Sequence, residues 1–337
     1  MDGRVADASV IAEQLGRRFG DIEAVAGIDL TIEPGEIFGF LGPNGAGKST
    51  TVRILTTLLK PSSGRALVAG FDVLRQADDV RRSIGVALQD AAIDPLMTGR
   101  ELLRLQAILH DIPKNQAEAR GSTLLETVGL TAAADRRVGT YSGGMRRRLD
   151  LALALLHEPR VLFLDEPTTG LDPNSRIAIW DEVRKLNREF GTTVFLTTQY
   201  MEEADRLAGR IAIIDAGHIV AEGTPAELKA RVGDPTLTVT LAPGQDKIQA
   251  EAVLLPFGEP VSDGDATVAV RLAGGAGQVA GVVRALDDAH IEVEALELHM
   301  PTLDDVFQIA TGRRLEGADV PDVPETQAAG PKRGPVR

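Results

Sequence analysis

The chain has 337 residues, a formal net charge of -13 and no cysteine. That length suits about two domains; the missing thiols exclude disulfides, zinc–thiolate sites and thiol catalysis; the acidic balance argues against nucleic-acid partners and against direct adsorption to an anionic membrane surface. No apolar run approaches the ~20 residues that span a bilayer, and the opening MDGRVADASV lacks a charged-then-apolar signal pattern, so a cytoplasmic chain is expected. Aromatic residues make up 4%, which predicts mainly aliphatic cores.

In chain order, residues 8–32 read as two strands joined by a turn, because Val10, Ala12, Ile28, Leu30 and Ile32 alternate with polar neighbours. After the Pro34-Gly35 turn signal, Ile37–Leu41 is a continuous apolar run, as in a strand buried on both faces. A glycine-rich loop and a helix from Ser49 to about Leu59 follow. Residues 96–135 carry leucines at helical spacing. A glycine turn at Gly143-Gly144 precedes a helix to about His157, a strand at 161–164, a helix at 175–190, a strand at 193–197 and a hairpin at Asp215–His218. Strands alternating with helices predict an α/β fold with a mainly parallel sheet. Beyond a boundary at Gly233-Asp234-Pro235, the pattern predicts strands at 236–241, 267–272 and 291–298, and helices at 246–254, 277–288 and 303–310. That is a small α+β domain, followed from about residue 316 by a proline-bearing polar tail expected to be disordered.

Gly42-Pro43-Asn44-Gly45-Ala46-Gly47-Lys48-Ser49 fits the pattern G-x-x-x-x-G-K-[ST] between a buried strand and a helix. Small residues let the backbone wrap a phosphate, and the loop amides and helix N-terminus supply positive potential. Gly42, Asn44, Gly45, Ala46, Gly47, Lys48, Ser49 and Thr50 are therefore expected to hold a nucleoside triphosphate, with Lys48 on the β- and γ-phosphates and the Ser49 hydroxyl on Mg²⁺. The strand Val161–Leu164 ends in Asp165 and Glu166. Asp165 is expected to hold Mg²⁺, and Glu166, beside the attacking water, to act as general base. These two motifs alone define a phosphate-loop NTPase.

Tyr141-Ser142-Gly143-Gly144-Met145, placed between Gln89 and Asp165, resembles the signature of the ABC ATPase family, and the resemblance runs over about residues 8–231. It implies a phosphate-loop ABC nucleotide-binding domain over 1–232: a mainly parallel core sheet, an antiparallel N-terminal β subdomain and a helical subdomain at about 90–140. Residues 233–315 would form a C-terminal α+β domain for regulation or dimerisation. By resemblance, Phe19 stacks on adenine and Gln89 reaches Mg²⁺ and the water. Ser142, Gly143 and Gly144 face the ATP of a second copy, and Asp172 lies in a loop crossing the dimer interface, where it equally suits a helix N-cap before Pro173. The Arg146–Arg148 run reads as a solvated helix face with no catalytic role. One departure stands out. The family usually places a histidine where this chain has Gln199. An amide can donate to phosphate and orient water but cannot take a proton near neutral pH, which leaves Glu166 as the base.

Thr197-Thr198-Gln199-Tyr200, the Ser-Gly-Gly-Met-Arg-Arg-Arg run and Pro301–Phe307 look like the daunorubicin-resistance type of exporter ATPase. The resemblance implies an ATP- and Mg²⁺-dependent ATPase that dimerises with a second ATPase subunit, docks on a separate membrane permease at the cytoplasmic face and powers export of a drug or other hydrophobic compound. Two other readings stay open on the residues: a soluble ABC ATPase of DNA repair or translation, disfavoured by the single cassette and acidic charge, and a regulatory module that binds ATP without turnover, disfavoured by Glu166.

Overall fold

The computed structural model describes residues 8–88, 93–261 and 267–313. Gln89 and the tail from residue 316 lie outside them.

The chain opens with β1 (Val10–Phe19) and β2 (Ile22–Ile32), antiparallel around a tight turn. β3 (Ile37–Leu41) is buried along its whole length, as its unbroken apolar run requires, and leads through the glycine loop into α1 (Lys48–Leu55). The segment after it, where no periodic pattern stands out, supplies β4 (Ser63–Val68), β5 (Phe71–Asp72), α2 (Ala77–Ser83) and β6 (Ile84–Ala87). β4 buries only its far end, and the others are too short to show a period. β2, β1, β4 and β5 form one antiparallel sheet in that order.

The helical stretch divides into α3 (Gly99–Leu109) and α4 (Lys114–Thr127). A capping box between Thr98 and Glu101 starts α3. Asp111, with φ 54°, and Pro113 break the path before α4. Then follow α5 (Gly143–Leu155), β7 (Val161–Asp165), α6 (Pro173–Phe190), β8 (Thr193–Thr198), α7 (Met201–Leu207), β9 (Arg210–Asp215), β10 (His218–Gly223) and α8 (Pro225–Ala230). The second sheet runs β10-β9-β3-β8-β7-β6. It is parallel except for the β10–β9 hairpin.

This core sheet has two apolar faces. One packs with α1 and the antiparallel sheet, and the other with α5, α6 and the helical segment. The first is mainly aliphatic, as the low aromatic content predicts, with one aromatic cluster at its centre. The Phe195 ring lies 5.5 Å from those of Phe40 and Phe163 and 6.0 Å from that of Phe38. Four of the nine phenylalanines thus pack at tilted angles across the three strands whose ends carry the expected site.

The C-terminal part comprises β11 (Thr236–Leu241), α9 (Lys247–Leu254), β12 (Gly258–Val261), β13 (Thr267–Leu272), α10 (Val279–Asp288), β14 (Val293–His299) and α11 (Leu303–Thr311). The strands form an antiparallel sheet, β12-β13-β11-β14, and α9 and α10 cover one face around Leu237, Val239, Val270, Leu254 and Val282. α11 does something else. Its buried residues Leu303, Val306 and Phe307 pack with Leu41, Ala204, Ile211, Ile213 and Leu228. The last described helix therefore returns to the first unit and rests on α7, α8 and β10. Replacing Phe307 by Ala is expected to lower stability by about 3–5 kcal/mol, read as a lower urea midpoint. A midpoint unchanged by that substitution would show that α11 does not dock.

Candidate functional site

Parallel strands β3, β7 and β8 end side by side, with Leu41 level with Thr198 and Asp165 level with Thr197. A crevice at strand C-termini is where ligands bind in such sheets. The loop leaving β3 is folded tightly against β9 and β2. A β-carbon at Gly42 would stand 2.2 Å from the Ile214 carbonyl oxygen, and one at Gly47, which has φ 108°, 2.4 Å from that of Ala24. Only glycine fits at either place. The loop then hands its free amides to the N-terminus of α1, a ready anion site. The Lys48 ammonium is buried and donates to the carbonyls of Gly42 (2.8 Å) and Pro43 (3.0 Å), which hold it inside the loop.

From the opposite wall come the two acids. The Ser49 and Thr197 hydroxyls both donate to Asp165 Oδ1, at 3.2 and 2.5 Å. Glu166 Oε1 stands 3.2 Å from Lys48 Nζ, and the Thr169 hydroxyl donates to its Oε2 at 3.2 Å. Glu166 has φ 49°, a left-handed backbone that costs about 1–2 kcal/mol in a residue with a side chain. Its amide donates to both the carbonyl and the hydroxyl of Thr197, each at 3.1 Å. Strain of this kind persists only where the surroundings enforce it. Ala24, Asn44, Gly45, Gly47, Lys48, Ser49, Thr50, Glu166, Thr169 and Gln199 line one cavity of about 340 Å³. Cation, free amides and carboxylate on facing walls suit a phosphate chain and a water attacking it.

Other expected residues stand apart from this cavity. Ser142 caps α5, its hydroxyl accepting from the Met145 amide at 3.2 Å, and Ser142 and Gly143 are exposed to solvent rather than lining the cavity. Phe19, at the end of β1, is 46% exposed, with the Arg17 guanidinium 4.5 Å from its ring centroid. Asp172 caps α6, accepting from the Ser175 amide (3.0 Å) and hydroxyl (2.6 Å), and the Ser175 hydroxyl is the main reason its carboxyl titrates below the usual range.

Several residues escaped sequence reasoning. Thr197 and Thr169 carry the acids, and only the register of β8 against β7 could have pointed to Thr197. Glu203 is fully buried, accepting from Thr168 and from the Trp180 indole N–H, both at 2.9 Å, with burial pushing its carboxyl up. The Arg146–Arg148 run departs from the expected solvated face. Arg146 is exposed, but Arg147 is only 8% exposed because α5 turns this side chain toward the ends of β6 and β7, where unpaired carbonyls need donors.

Residues 25–169 match the ABC transporter family. The chain is 48% identical over 321 residues to the daunorubicin resistance ATP-binding protein DrrA3 of Streptomyces coeruleorubidus, covering 93% of this chain and 100% of that protein. Among solved structures it is similar to cbiO1 of Clostridium perfringens, part of the ABC transporter complex cbiONQ, with 29% identity and TM-score 0.62 over 66% of this chain and 91% of that one. It is also similar to an ATP-binding cassette solved as a dimer in a post-hydrolysis state bound to ADP and Pi, with 28% identity and TM-score 0.58 over 64% of this chain and 98% of that one. With a phosphate loop, an acid-ended strand and a capped Ser-Gly-Gly helix on this fold, the chain belongs to the ABC transporter family, among the ATP-binding subunits that hydrolyse ATP to power transport.

Proposed function

We propose that this subunit powers export of a drug or other hydrophobic compound through a separate membrane permease, using the cavity between Lys48 and Glu166 to cut ATP. The observation that carries the site reading is the 3.2 Å approach of Lys48 to Glu166, because a γ-phosphate held by this ammonium lies within reach of that carboxylate. The export reading rests on the drug-resistance relative. Among the described residues no helix is long and apolar enough to cross a membrane, so in this reading attachment to the membrane's cytoplasmic face runs through the permease.

In this reading the loop amides of Asn44–Thr50 and the Lys48 ammonium bind the β- and γ-phosphates. Phe19, exposed at the end of β1, offers a ring to the adenine. The Ser49 hydroxyl and Asp165 would hold Mg²⁺: one hydroxyl and one carboxylate beside a phosphate site form the oxygen-only donor set this hard ion prefers. Gln89 would join them from beyond the described residues. Bound there, Mg²⁺ neutralises charge on the phosphate oxygens. Glu166 accepts the proton of the attacking water, its carboxylate aimed by the Thr169 hydroxyl. Gln199 on the facing wall orients that water without taking its proton. The exposed Ser142–Gly144 helix start offers a hydroxyl, two close backbone approaches and a helix dipole to the γ-phosphate on a second copy. Asp172, at the head of α6 two residues beyond Gly170, would lie at the seam between the copies. ATP then joins two subunits and hydrolysis releases them, a population shift driven by contacts that need the γ-phosphate.

Glu166→Gln is expected to lower kcat by at least ~10²-fold and to leave an ATP-bound dimer in size-exclusion chromatography; turnover near the wild-type rate would remove Glu166 from the role of base. Lys48→Ala should weaken ATP binding by roughly tenfold or more, the loss of one charge-assisted phosphate contact, measured by fluorescence titration. An unchanged Kd would contradict the phosphate role. Gln199→Ala should slow turnover far less than Glu166→Gln, and an equal loss would make the amide essential. Stimulation of ATPase activity by a hydrophobic drug, when chain and permease are reconstituted together, tests the export reading, and a rate indifferent to every such compound would count against it.

A further inference from the structure

The carbonyls on either side of Glu166 are held by one side chain. Arg147 Nε donates to the Pro167 carbonyl at 2.9 Å, and Nη2 to the Asp165 carbonyl at 3.1 Å. Nη1 donates to the Leu88 carbonyl at 2.7 Å and to Asp150 Oδ2 at 3.2 Å. Leu88 is the last described residue before Gln89. Thr197 holds the Glu166 amide from the other side. The strained residue at the centre, with φ 49°, is therefore gripped at its own N–H and at the carbonyls before and after it.

We propose that Arg147 is a positioning residue for ATP hydrolysis: its guanidinium fastens the helix that begins at Ser142 to the turn that carries Glu166, so the orientation of that helix sets where the base stands. The inference rests on the role given to Glu166 above. Stability alone is a weak reason for such a group. Burying a charged pair costs several kcal/mol per ion before the attraction is counted, and apolar residues of like volume often do as well. Burial lowers the proton affinity of Arg147 and pushes the Asp150 carboxyl up to about 6, against the pull of Arg147. What an apolar pair cannot supply is a planar fork that meets three carbonyls on two segments at once. The same fork lies on the second turn of the helix whose capped start is proposed to meet the partner's ATP. A shift of α5 as that start engages the partner's nucleotide moves the carbonyls of Asp165 and Pro167 with it, and so reaches the subunit's own base.

The test compares Arg147→Lys, the double variant Arg147→Met/Asp150→Leu and Glu166→Gln in the full chain. The double variant removes both members of the Arg147–Asp150 pair, while Glu203, which also feels the Arg147 charge, keeps its hydrogen bonds from Thr168 and Trp180. It is expected to fold, to bind ATP with a Kd within about threefold of wild type, and to lose at least about tenfold in kcat, since misplacing a reacting group by an ångström costs up to ~10²-fold. Arg147→Lys should fall between, because one ammonium reaches fewer of the carbonyls. A double variant that turns over at the wild-type rate would overturn the inference, leaving Arg147 as a mere counter-charge for Asp150. If the double variant does not fold, Arg147→Lys decides: lowered kcat with unchanged Kd supports the positioning role, and full kcat overturns it. Glu166→Gln keeps the two failures apart. An active Glu166→Gln refutes the base assignment and this inference with it, whereas an inactive one beside a fully active double variant refutes this inference alone.

Discussion

A single hydroxyl, that of Thr197, sits where the catalytic end of the core sheet converges. It donates to Asp165 Oδ1 and accepts from the Glu166 amide, so one strand end orients both acids of its neighbour. The contact exists because β7 and β8 are parallel and in register, Asp165 beside Thr197. β3 lies on the other side of β8 in matching register and delivers the phosphate loop to the same level. Parallel strands with a common end point bring a cation and two carboxylates from distant parts of the chain within hydrogen-bond range. The phenylalanines packed across the same strands keep those ends from sliding.

The same geometry explains the strain at Glu166. A residue following β7 in an extended path would carry its side chain away from the loop. The left-handed turn instead brings its carboxylate to Lys48. Thr197 on one side and Arg147 on the other hold that turn, one from the core sheet and one from the signature helix. The proposed base thus stands on a support shared between the site's own strands and the helix proposed to face a second copy.

Local features were legible in the sequence and collective ones were not. Gly42–Ser49 could be read because its pattern is contiguous and sits between a buried strand and a helix; the close approach to Ile214 and Ala24 that demands glycine at Gly42 and Gly47 shows only in the fold. The acid-ended strand was legible because four buried apolar residues followed by two acids occur in the same chain as the phosphate loop, which gives the acids a partner. Gln199 was singled out by resemblance alone, as the residue standing where the family usually has a histidine. Arg147 was not legible, since one of three consecutive arginines faces inward only through the rotation of α5, which no spacing of charges reveals. Nor was the destination of α11. Its helical pattern was plain, but an amphipathic helix does not say which apolar surface it will meet, and it meets α7, α8 and β10, joining a cluster that reaches Leu41 of β3 and Ile211 of β9. Between 63 and 87, β4 buries only Ala66 and Val68 at its far end, so no alternation stands out over its length, and β5, α2 and β6 are short.

In the proposed arrangement ATP lies between Lys48 and Glu166 and a second copy completes the contacts of its γ-phosphate. A crystal structure of the Glu166→Gln chain grown with ATP and Mg²⁺ decides this. The expected result is two copies enclosing two nucleotides, each with its phosphates on Lys48, its metal on Ser49 and Asp165, and its γ-phosphate against Ser142–Gly144 of the partner. A nucleotide held away from Lys48, or one sealed within a single copy, would contradict it.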